Sequence, residues 1–332
     1  MSDVPSFAKI QCRFVAAERL ARPPVNGYAS PTGRPLRRFD SSRCWLLMTE
    51  TALTIDVYVS PLRPYAGRPA QGPGDDPNWS PMSSTLIAGK EEAILVDALI
   101  ANEQVDALAE WVRGFGKRLT GVYITHGHTD HWGGLARLQE HFPEACGFAT
   151  AEVVGRAQYE ATDERLLAYW NSRFPGELPQ TRVVPEVMAE SEFSLGGEVL
   201  RVVSVGQGDT EHSTFLHVPS IDAVVGGDVV YNNVHMMMLE TDEQKRDAWI
   251  ASLDAMAALA PKIVVAGHKP VGAPDPPENI AASQQYLHDF SRVANERDSV
   301  EDIVEGMLAL HGDRENTHTL WISARGEIAK RG

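Results

Sequence analysis

The sequence predicts an α/β protein in which two stacked sheets carry helices on their outer faces. Two observations lead there. Strand-like apolar runs and helix-period stripes alternate along the first half of the chain, and the same order returns in the second half without repeating the sequence. One of those runs, Val122, Tyr123 and Ile124, stops abruptly in a turn crowded with histidine and aspartate. A buried strand that delivers chemistry from its end reads this way.

Residues 1–43 mix basic side chains with Pro23, Pro24, Gly27 and Pro31 and hold no sustained period, so they read as an arm or irregular extension. Residues 44–60 read as one or two strands. Residues 61–82, punctuated by proline and glycine, read as a long loop and a candidate wall of a substrate pocket. From Ser83 the pattern is regular. STLIAGKEEAILVD gives two strands about Gly89 and Lys90. Residues 102–115 then place Val105, Leu108, Val112 and Phe115 on one helical face. After the strand at 122–124 come a helix with Leu135, Leu138 and Phe142, a short strand at 147–150, and a helical run at 163–174 inside a less regular insertion.

In the second half, 193–195 and 199–205 read as a hairpin about Gly196 and Gly197, and 214–218 and 223–225 as strands around a turn. A helix at 242–260, a strand at 263–266 and two further helices follow, the second striped by Val300, Ile303, Val304, Met307 and Leu308. The expected organisation is an extension and loop over residues 1–82 packed on a main domain over 83–332 that ends in helices.

The formal net charge of −15 argues against a nucleic-acid partner. Residues 1–43 carry eight Lys and Arg against three Asp and Glu, so the remainder is more acidic still. A basic arm on an acidic body is compatible with a homodimer and does not require one. The first residues lack the apolar core of a signal peptide, and no run has the length of a membrane span. Cys12, Cys44 and Cys146 are few, odd in number and widely spaced, so they read as reduced thiols. The expectation is a cytoplasmic protein acting on a small molecule, with no membrane or nucleic-acid partner.

The organising stretch is GVYITHGHTDHWGG, residues 121–134. It supplies His126, His128, Asp130 and His131, and imidazole with carboxylate is the ligand set of zinc and its first-row neighbours. THGHTDHWGG resembles the HxHxDH signature of the metallo-β-lactamase-fold hydrolases. Asp97, Gly227–Asp228 and Gly267–His268 resemble that family's further landmarks, in the same order.

The resemblance implies an αββα sandwich with ligands gathered at one edge. His126 and His128 would hold one metal, and Asp130 and His131 would help hold another. Asp228 would bridge the two, His268 would complete the second site, and Asp97 would orient a ligand histidine. The implied cofactor is one or two Zn²⁺, with Mn²⁺ or Fe²⁺ as alternatives. Such a metal brings hydroxide within reach of neutral pH and polarises a carbonyl. The Asp130 carboxylate is a candidate proton carrier.

One landmark departs from the family. Its third histidine sits in a short G-H-T-like turn, where this chain reads VGQGDTEHS over 205–213. Gln207 falls in the histidine slot and His212 follows five residues later, so the candidates for that ligand are Gln207 and His212. Tyr231 and His235, just after Asp228, are candidates for stabilising an oxyanion or holding a substrate oxygen. Met236, Met237 and Met238 line a pocket or belong to the core.

The expected function is a metal-dependent hydrolase attacking the carbonyl of a lactone or other small ester, with thioester and amide close behind. A non-hydrolytic metalloenzyme (an isomerase or cyclase) and a binding protein with an eroded first metal site are the alternatives.

Overall fold

The computed structural model describes residues 53–66 and 69–331. In chain order, the strands of the first half are β1 (Thr54–Ser60), β2 (Arg63–Pro64), β3 (Asn78–Trp79), β4 (Met82–Ala88), β5 (Glu92–Val96), β6 (Arg118–Tyr123), β7 (Cys146–Ala149) and β8 (Glu186–Val187). Those of the second half are β9 (Glu192–Leu195), β10 (Glu198–Gln207), β11 (Glu211–Val218), β12 (Ala223–Val225) and β13 (Ile263–Val265). The helices are α1 (Asn102–Arg113), α2 (Thr129–Trp132), α3 (Leu135–His141), α4 (Ala151–Thr162), α5 (Glu164–Arg173), α6 (Glu243–Ala257), α7 (Glu278–Glu296), α8 (Val300–His311) and α9 (Thr317–Ala329).

One mixed sheet has the order β1-β4-β5-β6-β7-β8 and the other β13-β12-β11-β10-β9, with β2 and β3 forming a separate ribbon. Alternation along the strands makes the layers. In β5, Ile94 and Val96 face the second sheet together with Tyr123, Phe148, Phe193, Leu216 and Val265. Ala93 and Leu95, one residue off, turn to the opposite face and pack with Val105, Leu108 and Val112 of α1. Both faces of the strand are covered, which is why it reads as a continuous apolar run. The second sheet is capped on its outer side by α6, α7, α8 and α9 through Trp249, Leu253, Phe290, Ile303 and Leu320. The result is a four-layer αββα sandwich.

Three expectations change. β1 pairs antiparallel with β4 from Thr54 opposite Ala88 to Ser60 opposite Met82, so the first sheet begins well before residue 83. The N-terminal arm itself, with Cys12 and Cys44, lies outside the described residues. Cys146 is disulfide-bonded, not a reduced thiol. A third C-terminal helix, α9, buries His318, Thr319, Leu320, Trp321, Ser323 and Ala324. Its buried face mixes polar and apolar side chains, so no apolar stripe announces it. Among the described residues no helix is long and apolar enough to cross a membrane.

Candidate metal centre

The parallel strand β6, the short strands β12 and β13 and the β10–β11 turn all end at one edge of the sandwich, where their following residues converge. His126 leaves the end of β6. His128 stands before α2, whose first turn carries Asp130 and His131. Asp228 lies in a 3-10 turn after β12, and His268 follows β13. All are buried except His128, which is partly covered.

The side chains form two linked groups. Asp130, His131 and His268 share one: His131 Nε2 lies 3.8 Å and His268 Nε2 3.9 Å from Asp130 Oδ2. Asp228 reaches the same two rings, with Oδ1 3.4 Å from His131 Nε2 and Oδ2 3.1 Å from His268 Nε2. It also groups with His126. The other set is His126, His128 and Asp209. Asp209 Oδ2 lies 2.9 Å from His128 Nδ1, and its Oδ1 3.8 Å from His126 Nε2.

Asp209 corrects the reading of the turn. Gln207 is buried, but its amide nitrogen donates to Gly208 O at 2.9 Å, and His212 is not among the clustered histidines and carboxylates. His212 is exposed, with φ 63°. The physical cause is a bulge: β10 and β11 slip register between Ser204 and Gly206 and again between Gly206 and Gln207. Gly206, at φ 89°, absorbs the bend. The signal was present in the sequence. The G-x-T frame of that turn is Gly208–Asp209–Thr210, two residues beyond the alignment that picked out Gln207.

Partners on the far side of the rings fix their orientation. Asp97, itself at φ 64°, accepts from the Thr125 backbone N–H (2.9 Å), from Thr125 Oγ1 (2.8 Å) and from His131 Nδ1 (2.8 Å). His268 Nδ1 donates to Pro81 O at 2.9 Å. Both rings therefore carry a proton on Nδ1 and turn Nε2 to the cluster. His128 does the reverse, with Nδ1 inward and Nε2 3.2 Å from Glu240 Oε1.

Sequence reading did not single out Glu240. It also accepts from Thr210 Oγ1 at 2.7 Å and from Arg156 at 2.6 and 3.1 Å. Arg156 in turn holds Glu160, whose other oxygen accepts from Thr129 N and Oγ1 at the start of α2.

The donor set fits a metal. His126 Nε2, His131 Nε2, Asp209 Oδ1 and Asp228 Oδ1 are buried with no hydrogen-bond partner, and a buried polar atom of that kind costs stability unless something binds it. The electrostatics agree. Burial, then neighbouring His131, pushes His126 well below the ordinary imidazole value. Against burial, Asp228 and Asp97 hold His131 well above it. Burial raises the Asp209 carboxyl to about 6. Carboxylates and imidazoles so arranged call for positive charge between them.

The matching sequence profile is that of the metallo-beta-lactamase superfamily, over residues 77–268. The chain belongs to this superfamily. A metallo-beta-lactamase type 2 of Bacillus sp. (strain 170) is 26% identical over 196 residues, covering 58% of this chain and 68% of that one. A hydroxyacylglutathione hydrolase of Crocosphaera subtropica is 33% identical over 69 residues, 21% of this chain and 25% of its own length. The metallo-beta-lactamase from Pontibacter korlensis superposes with a TM-score of 0.51 at 18% identity, covering 71% of this chain and 99% of that one. That likeness speaks to fold alone.

A cavity of about 190 Å³ opens onto this metallo-beta-lactamase-like centre. Its walls include Trp79 of β3 and Ser80 just after it, Tyr169 and Trp170 from α5, and Met237 and Leu239. Met236 and Met238 are core. Tyr231 OH donates to Asp228 Oδ2 at 2.7 Å, and its ring stacks on His268 at 5.4 Å and 23°. His235 also lines the cavity. Its Nδ1 lies 3.0 Å from Tyr286 OH, while its Nε2 is buried and unpartnered. Burial, with Arg314 nearby, lowers it to about 3, so the ring is neutral.

Proposed function

We propose that the protein is a metal-dependent hydrolase that cleaves the acyl–oxygen bond of a lactone or other small ester. The observation that carries this reading is the pair of linked donor sets, joined by Asp228, at the floor of a cavity with apolar walls. His126, His128 and Asp209 would hold one divalent metal, and Asp130, His131 and His268 a second. The superfamily usually binds zinc, and zinc suits this nitrogen and oxygen set, as do Mn²⁺ and Fe²⁺. A metal held there lowers the pKa of its water from about 15.7 toward 7 and polarises a carbonyl.

The chain's own residues do the rest. Water adds across the ester: its oxygen joins the acyl carbon, the acyl–oxygen bond breaks, and a proton passes to the departing alkoxide. Asp130 is the carboxylate placed to carry that proton. Tyr231 fixes the Asp228 carboxylate by its hydroxyl. His235 Nε2 offers a neutral contact to a substrate oxygen, and the aromatic wall seats the apolar part and excludes water. The hydrolase names of the Bacillus and Crocosphaera relatives support the reaction class.

The test is turnover of a panel of lactones and aryl esters by metal-loaded protein, with products read by mass spectrometry. A lactone product heavier by one water, or an acid and a phenol whose masses together exceed the ester's by one water, establishes hydrolysis. Products of unchanged mass, or none from any member of the panel, would overturn it.

A further inference from the structure

The cavity carries more than a place for an ester. Beside the metal-site donors Asp130, Asp209 and Asp228, two further carboxylates line it, Glu160 and Glu240, and among the described lining residues Arg156 is the one Lys or Arg. That guanidinium is already engaged. Its Nε and Nη2 donate to Glu160 Oε1 at 3.0 and 2.9 Å, and its Nη1 and Nη2 to Glu240 at 3.1 and 2.6 Å. Glu240 and Glu160 are in turn tied to His128 and Thr129, so releasing Arg156 would loosen the turn that presents the metal ligands.

The remaining walls are Trp79, Leu166, Tyr169, Trp170, Met237 and Leu239. Trp79 and Trp170 meet edge to face at 5.0 Å, which makes that side a preset aromatic slot. Two buried polar atoms of the lining have no partner and no place among the metal-site donors, His235 Nε2 and Ser80 Oγ.

We propose that this site takes an uncharged ester or lactone bearing an apolar or aromatic group, and that it selects against substrates carrying a carboxylate. The proposal rests on the hydrolase reading above and deepens it. In the slot beside the metal-site donors, a substrate carboxylate would leave water without finding a free Lys or Arg, facing Glu240 and Glu160 across a low-dielectric wall. A flat neutral group gives up less hydration than a carboxylate and gains aromatic contact, and His235 Nε2 and Ser80 Oγ offer hydrogen bonds to an uncharged polar group. Selectivity comes from the repulsive element as much as from the attractive one.

The experiment uses the full-length, metal-loaded protein and two probes of one shape, 4-carbamoylphenyl butyrate and 4-carboxyphenyl butyrate, each corrected for uncatalysed hydrolysis. The carbamoyl ester should show a kcat/KM higher by roughly 100-fold, carried mainly by KM. Leu239→Lys places a free ammonium at the exposed rim. It should raise kcat/KM for the carboxylated ester about tenfold and leave the carbamoyl ester unimproved. Equal or better turnover of the carboxylated ester by the unaltered protein overturns the proposal.

If neither ester is cleaved, the hydrolase reading fails by itself and binding decides the selectivity. Quenching of tryptophan fluorescence is then compared for 4-carbamoylbutyrophenone and 4-carboxybutyrophenone, ketones that water cannot cleave. Tighter binding of the carbamoyl ketone upholds the proposal, and equal or reversed affinity overturns it.

Discussion

Asp209 Oδ2 stands 2.9 Å from His128 Nδ1, in the position where the superfamily resemblance leads one to expect a third histidine. A carboxylate there changes the charge of the first metal site, because it brings a negative charge where imidazole brings none. Asp209→Ala should therefore lower metal affinity at that site by more than the roughly 10- to 100-fold that losing an outer partner costs. Gln207→Ala should leave metal content unchanged. Elemental analysis after dialysis distinguishes the two, and equal losses in both variants would contradict the assignment.

Glu240 acts on the same histidine from the other side, 3.2 Å from its Nε2. Glu240→Gln keeps the shape but removes the charge that raises the basicity of the ring. Metal affinity should fall by about 10- to 100-fold with the far-ultraviolet circular dichroism unchanged. Titration against a competing chelator measures it.

Tyr231→Phe retains the ring stacked on His268 and deletes only the hydroxyl that donates to Asp228. A hydrogen bond to a charged group is worth about 1.5–3 kcal/mol. Turnover should drop by roughly 10- to 100-fold. Turnover equal to that of the parent protein would remove the hydroxyl from the chemistry.

His235 gives the pH dependence of stability a definite sign. Its folded pKa, about 3, lies below the unfolded imidazole value of about 6.5. Between those values the unfolded chain binds a proton that the folded chain does not. Stability from this group is complete above pH about 6.5 and is lost as the pH falls toward 3, by up to about 1.4 kcal/mol per unit. His235→Leu should flatten the decline between pH 6.5 and 4.5 in urea titrations. A slope as steep as that of the parent protein would show that the proton goes elsewhere.

Gly267 is held by sterics. A Cβ there would sit 2.1 Å from Asp228 Oδ1 and 2.7 Å from the Gly227 carbonyl carbon. Gly267→Ala should destabilise by about 1–3 kcal/mol and displace the carboxylate between the two donor sets. The denaturation midpoint and metal content should fall together, and a change in neither would show that the backbone yields at no cost.

Much of this was legible in the sequence. The apolar runs of β4, β5 and β6 are continuous because both faces are covered, and the HxHxDH stretch announced its chemistry through ligand types alone. Asp209 was missed because two overlapping frames, Gly206–Gln207–Gly208 and Gly208–Asp209–Thr210, resemble the expected turn, and the bulge in β10 brings the second to the cluster. Arg156, Glu160 and Glu240 were invisible for another reason. Each is an ordinary charged residue, and 84 positions separate Arg156 from Glu240, so only the fold brings them behind His128. Helix α9 escaped because its buried face includes His318, Thr319 and Ser323, which satisfy partners in place of forming an apolar stripe.

The contact between His268 and Pro81 spans 187 residues, and Ser83 bonds the backbone of Ala266 and Gly267 on the same stretch. The ring that completes the second donor set is therefore aimed by a segment made 187 residues before it, whereas Ser283, which holds the Tyr231 backbone, is made 52 residues after that tyrosine. A nascent chain that has just emitted His126 to His131 holds four of the seven donors, with Asp97 behind His131, but lacks Asp209, Asp228 and His268. Loop closure over such distances is slow, so metal uptake should be the last event in maturation. Protein released into a metal-poor compartment would fold its sheets first and wait, assembled and inert, for its ions.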